Sequence, residues 1–205
     1  MELVGQTVVL IGGSAGIGLE TARRARSEGA EVILVGRDAG RLEAAAAEVD
    51  ASGTAAFDAS DAAALKRFFE GLPDPIDHVL VTAGGPTYGP LLEMDADQVR
   101  EALGGHVVVG LDVARHAAPR MRPGGALLLM GGTGGRRISR EAGIAPAATA
   151  VLPPFVATLA LGARTAREAT ARGQASHSQR AGGRNYQGPR GSTREIHGRD
   201  GRRTP

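Results

Sequence analysis

The chain has 205 residues, 42% hydrophobic, 22% charged and 3% aromatic, with no cysteine and no tryptophan. That is enough for one domain with a core, and it excludes a disulfide scaffold and any zinc site built on thiolates. The formal charge of +2 conceals a split, because residues 1–162 hold 14 Arg/Lys against 19 Asp/Glu while residues 163–205 hold 10 Arg against 3 acids.

The start of the chain, Met1 to Gly13, lacks the basic stretch and cleavage site of a signal peptide. No apolar run is expected to approach the ~20 residues that cross a bilayer. A cytoplasmic protein without membrane attachment is therefore expected. Short apolar runs then alternate with stretches of helical spacing, the pattern of βαβ units around a parallel sheet. Strands are predicted at Thr7 to Ile11, Glu31 to Val35, Thr54 to Phe57, His78 to Thr82 and Ala126 to Met130. Helices are predicted at Ile17 to Ser27, Arg41 to Val49, Ala62 to Glu70 and Asp95 to Met121, and a last one runs from Pro146 toward Arg164, kinked or split by Pro153 and Pro154. From Ala163 onward there is no Leu, Val, Phe or Met. Such a segment buries too little apolar surface to offset its ordering entropy, and disorder is expected from Arg172. The division is thus a domain at 1–165 and a basic, largely disordered tail at 166–205. Two origins fit the tail: translation of a GC-rich gene in a shifted frame, or a genuine basic segment that attracts nucleic acid or an acidic partner. With so few aromatics for base stacking, nucleic acid is not an expected partner.

The most informative stretch is Ile11-Gly12-Gly13-Ser14-Ala15-Gly16-Ile17-Gly18, which leaves the first strand and opens a helix. Gly12 permits the tight turn, Gly16 and Gly18 allow close approach of backbone to a pyrophosphate and of helix to sheet, and N–H groups at the helix start face the anion. Ser14 and Ile17 complete the set expected around the phosphates. No Lys follows the glycines, which excludes the P-loop.

With its Gly-x-x-x-Gly-x-Gly spacing, followed in order by Gly36-Arg37-Asp38, Phe57-Asp58 and Val81-Thr82-Ala83-Gly84, the sequence resembles the short-chain dehydrogenase/reductase superfamily from roughly Leu3 to Leu161. The resemblance implies an α/β, Rossmann-type doubly wound parallel sheet, here lacking its last strands, and an oxidoreductase acting on the carbonyl or hydroxyl of a small-molecule substrate. The residue ending the second strand separates the two nicotinamide dinucleotides: an acid binds the ribose 2′-OH, whereas a small residue followed by Arg suits a 2′-phosphate. Gly36 and Arg37 predict NADP as the cofactor, with Asp38 read as the N-cap of the next helix. By the resemblance Asp58 meets the adenine; a helix N-cap is its other reading. Ala83 and Gly84 are small where the chain runs close to the ribose.

The family's chemistry uses a Tyr, a Lys four residues later and a Ser. No Tyr-x-x-x-Lys pair exists here, since Tyr88 is followed by Leu92 and Tyr186 by Arg190. Counting from the fifth strand, the Ser position falls at Gly132, the Tyr near Ala145 and the Lys near Thr149, so no catalytic residue is assigned. His106, at the position of a family Asn, is either a proton carrier or an ordinary helical histidine, and its Gly104-Gly105 neighbours suit a kink. Thr133, Arg136, Arg137 and Tyr88 are further candidates near a substrate. A catalytically silent dinucleotide-binding or scaffolding protein is the alternative, and a frameshifted product without function is another. In the family the helices near Asp95 and Pro146 pack across a dimer interface, which implies a homo-oligomer; the open edge at the fifth strand also asks for cover.

Overall fold

Five segments pair side by side, the three central ones hydrophobic on both faces, and the structure, a computed structural model describing residues 2–132 and 139–162, assembles them into one parallel sheet. The strands are β1 (Thr7–Ile11), β2 (Glu31–Gly36), β3 (Gly53–Ala56), β4 (Ile76–Val81) and β5 (Met121–Leu129), in the order β3-β2-β1-β4-β5. The helices are α1 (Gly16–Ser27), α2 (Ala39–Val49), α3 (Ala62–Gly71), α4 (Ala96–Ala117) and α5 (Ala145–Ala150), with α6 over residues 152–162. This is the Rossmann-type doubly wound arrangement. Residues 163–205, including the basic tail and the boundary at 165, lie outside the described residues.

Alternation along the central strands sends side chains to two cores. Val9, Ile11, Ile33 and Val35 pack with Leu65 and Phe69 of α3 and with Val109 and Val113 of α4. Val8, Leu10, Val32 and Leu34 pack on the other face with Ala22 and Ala25 of α1 and Leu42 and Ala45 of α2. Acidic caps set the helix starts: Asp38 accepts from Arg41 N, Asp61 from Ala63 and Ala64 N, and Asp95 forms a reciprocal capping box with Gln98.

Five readings of the sequence are corrected. The fourth helix ends at Ala117 rather than Met121, and the last strand begins at Met121, five residues before Ala126. Met121 pairs with Ile76, after which the register shifts and His78 pairs with Ala126. The shift is held by Asp77, only 5% exposed, whose carboxylate accepts from Thr7 N at 2.9 Å and meets Arg122 Nε at 2.9 Å. β3 and β4 lie one or two residues earlier than predicted, and α4 runs unbroken through Gly104 and Gly105. The uncharged stretch Ala145–Gly162 is 18 residues long with mean hydropathy 1.5, longer than any apolar run expected. It is not one uninterrupted rod, because a turn at Val151 separates α5 from α6 and Pro153 and Pro154 occupy the first turn of α6, where missing N–H groups cost least.

Candidate functional site

β1 and β4 are neighbours, but β1 leads toward β2 and β4 toward β5, so the chain departs in opposite directions beyond their carboxyl ends. A crevice opens at such a switch point. It forms a groove of about 740 Å³, whose lining includes Gly12, Ser14, Gly16, Ile17, Gly18, Arg37, Asp58, Ala83 and Gly84. All nine residues singled out from the sequence thus share one groove.

Two glycines there are required by close approach. Gly12 has φ +99°, and a Cβ on it would stand 2.5 Å from Thr82 Oγ1 and 2.7 Å from Ala83 N. A Cβ on Gly18 would stand 2.2 Å from the Gly12 carbonyl oxygen. The Thr82 hydroxyl, a contribution not evident in the sequence, donates to that same oxygen at 3.0 Å and ties the turn after β1 to the end of β4. At the start of α1, Ala15 occupies the N-cap and no side chain accepts from the first turn. Its N–H groups are left for another acceptor, which is the condition for binding an anion.

At the end of β2, a Cβ on Gly36 would lie 2.9 Å from Ser14 Oγ, so Ser14 fills the space that an acidic side chain would need. Arg37 and Arg41 both line the groove. Arg37, with 79% of its side chain exposed, pairs with Asp58 at 3.5 Å, and Arg41 Nε lies 3.2 Å from Asp38 Oδ2. Asp38 is the helix cap, as its place in the sequence predicts, and the Arg41 N–H holds its carboxyl below the ordinary range. Asp58 is not a helix cap; Asp61 has that role. Instead the Asp58 carboxylate accepts from the Ser60 hydroxyl at 2.7 Å and the Ser60 N–H at 2.8 Å. These bonds, hydroxyl first, and then Arg37 hold its carboxyl below the usual value. Neither Arg41 nor Ser60 was singled out from the sequence; a second cation four residues after Arg37 is the signal that marks Arg41, whereas Ser60 has no motif.

A second cavity of about 660 Å³ shares Thr82, Ala83, Gly84, Gly85 and Met130 with the groove, so the two are continuous along one wall. Its lining includes Gly132, Ala145 and Thr149, the three positions deduced for Ser, Tyr and Lys. The three counted positions thus share one cavity, and none of them carries an acid or base. The Thr149 hydroxyl donates to the Ala145 carbonyl at 3.0 Å. Tyr88, His106, Ser139 and Glu141 also line the cavity. Ser139 and Glu141 were not singled out from the sequence; the Gly89 N–H donating to Glu141 O at 2.9 Å, and a bridge between Gly89 and Ala142, bring them across. Thr133, Arg136 and Arg137 lie outside the described residues.

Comparison with known proteins places this geometry. A family profile described as Enoyl-(Acyl carrier protein) reductase matches residues 12–168. Gluconate 5-dehydrogenase of Gluconobacter oxydans is 35% identical over 136 residues, covering 59% of this chain and 52% of that protein. Serine 3-dehydrogenase of Rhizobium radiobacter is 35% identical over 121 residues, covering 56% and 48%. The chain spans about half the length of the curated relatives it matches. Among solved structures, a short chain dehydrogenase/reductase family protein superposes with TM-score 0.74 at 27% identity, over 80% of this chain and 71% of that one. BdcA in complex with NADPH superposes with TM-score 0.67 at 26% identity, over 73% and 62%.

Proposed function

Because the chain belongs to the short-chain dehydrogenase/reductase superfamily, we propose that it binds NADP(H) in the groove at β1 and β4 and interconverts a carbonyl and a hydroxyl on a small molecule in the adjoining cavity. The observation that carries the reading is the glycine cradle. Gly12 and Gly18 admit no side chain, and the uncapped start of α1 opens on the same groove. The residues fit the cofactor: Gly12, Ser14, Gly16, Ile17 and Gly18 would hold the pyrophosphate, Ala83 and Gly84 would leave room for the ribose, and Asp58 would meet the adenine. When bound, the nicotinamide ring supplies or accepts a hydride.

The preference for NADP over NAD rests on the end of β2. No acid is present at Gly36, Asp38 is engaged in its helix cap, and Arg37 and Arg41 supply two cations to the same stretch of groove. A phosphate dianion there gains charge-assisted hydrogen bonds that a ribose hydroxyl does not.

The test is a fluorescence titration of the purified chain with NADPH and NADH, followed by assays of a carbonyl and alcohol panel. Gluconate and serine, named for two relatives, head the panel. Tighter binding of NADPH and turnover of a panel member are the expected results. The second reading, a dinucleotide-binding protein without turnover, is favoured by the absence of acid or base at Gly132, Ala145 and Thr149; binding with no turnover would establish it.

The same proposal includes a cytoplasmic, homo-oligomeric protein assembled through α4 and α5, with a folded domain at 1–165 and a basic tail at 166–205. Val108 on α4 and Val151, Val156 and Leu161 along the α5–α6 segment expose 37–64% of their surface. Light scattering that returned a monomer at micromolar concentration would refute the assembly, and trypsin cleavage confined to residues beyond 165 is expected.

A further inference from the structure

Reduction of a carbonyl leaves its oxygen short of one proton, and the usual positions for a donor, Ala145 and Thr149, have none to give. The described residues that line the cavity contain three groups able to exchange a proton with substrate. Tyr88 reaches it from the loop after β4, His106 from α4, and Glu141 from the segment before α5. Tyr88 is 69% exposed, and among the described residues its hydroxyl has no hydrogen-bond partner. Glu141 is exposed at the rim. A group that is to give and take a proton near neutral pH is best one that changes charge there. An imidazole changes charge in that range and serves in both directions.

The geometry of His106 supports the role. Its Nδ1 lies 3.1 Å from the Ala102 carbonyl oxygen one turn back. A carbonyl only accepts, so Nδ1 carries the hydrogen, and the neutral ring keeps its lone pair at Nε2. Among the described residues nothing bonds Nε2. The ring is half-buried in a wall continuous with the groove, so one nitrogen is anchored and the other is left for a ligand. The titratable groups that share its cavity are Tyr88 and Glu141; the adjoining groove adds Glu101 and Asp112 of its own helix, the latter paired with Arg115, together with Arg37 and Arg41.

We propose that His106 is the proton-transfer residue of this chain, acting through Nε2 on the substrate oxygen. In reduction the Nε2–H bond of the imidazolium breaks, an O–H bond forms on the substrate, and the pair returns to Nε2 as the hydride reaches the carbonyl carbon. Oxidation of an alcohol forms and breaks the same bonds in reverse. The proposal rests on the reading of the groove as a dinucleotide site.

The experiment uses the full chain, NADPH, and diacetyl as an activated carbonyl probe, with the variants His106→Gln and His106→Ala. Both variants are expected to bind NADPH within about twofold of the parent and to lose about a hundredfold or more in kcat/KM. The inflexion of the parent's pH–rate profile near neutrality is expected to vanish in both. A readout independent of turnover is carbethoxylation by diethyl pyrocarbonate, located by peptide mass spectrometry: His106 is expected to be modified at neutral pH and protected by NADPH with diacetyl. Rates within threefold of the parent, an unchanged pH profile, an unmodified His106, or NADPH bound by the parent with no reduction of diacetyl would each overturn the proposal. Failure of the parent to bind NADPH would instead overturn the dinucleotide reading on which it stands.

Discussion

Arg37→Ala is the direct test of the proposed preference for NADPH over NADH. In the structure the guanidinium is 79% exposed and its partner is Asp58, at 3.5 Å. An ion pair so exposed contributes about 0–1 kcal/mol, so truncation leaves the fold essentially intact. A phosphate at the same place would form a charge-assisted hydrogen bond, for which about 1.5–3 kcal/mol is usual. High exposure favours the lower end, and about 1.5 kcal/mol corresponds to roughly tenfold in Kd. NADPH affinity should therefore fall about tenfold while NADH affinity moves less than about twofold, as read by cofactor fluorescence titration at fixed ionic strength. Added salt should narrow the parent's preference in the same direction. Equal losses for the two cofactors would refute the argument, because only the 2′-phosphate distinguishes them.

Asp38→Asn keeps a good helix cap, so the ratio of NADPH to NADH affinity should stay unchanged; a selective loss of NADH binding would show that the carboxylate serves a ribose after all. Gly18→Ala places a methyl 2.2 Å from the Gly12 carbonyl oxygen, and overpacking of this kind costs about 1–3 kcal/mol. Urea denaturation should register that loss, and NADPH binding should weaken with it. Thr82→Val removes the bond to Gly12 O; about 1 kcal/mol of stability should go, with Thr82→Ser restoring most of it. The folded-state value of the Asp58 carboxyl lies below its unfolded one, so its ionisation favours the fold above about pH 4, and that contribution fades as pH falls through the folded value. In Ser60→Ala the NMR titration midpoint of Asp58 should move up toward the ordinary range, since the hydroxyl is the largest cause of the depression.

The fold was legible where one local signal sufficed. β1 runs from Thr7 to Ile11 as predicted, because an apolar run ends there on a glycine turn. Asp38, Asp61 and Asp95 mark three helix starts by the chemistry of their side chains. The beginning of β5 was not legible, since Met121-Arg122-Pro123-Gly124-Gly125 has the composition of a turn. It joins the sheet through Ile76 opposite Met121 and through the Asp77 carboxylate, both on a strand some 45 residues away in sequence. The site divides the same way. The glycine cradle follows from adjacent residues, whereas Thr82, Ser139 and Glu141 enter through contacts between distant loops that no local pattern encodes.

That division bears on whether binding and chemistry stand or fall together. The dinucleotide half of the site is backbone, fixed by strands whose side chains are almost wholly buried: Val9 and Ile11 are 0% exposed and Val35 is 1% exposed. The second cavity is walled on one side by Ala145, Pro146 and Thr149 of α5, of which Ala145 is itself packed at 6% exposure. Small residues at the positions for Tyr and Lys therefore leave no breach in the wall, and nothing in the cradle depends on which side chains stand there. Loss of the usual proton donor need not weaken cofactor affinity. A chain built this way can bind its cofactor fully while its turnover hangs on a single imidazole, and only separate measurements of affinity and rate on the His106 variants distinguish that state from a silent binder.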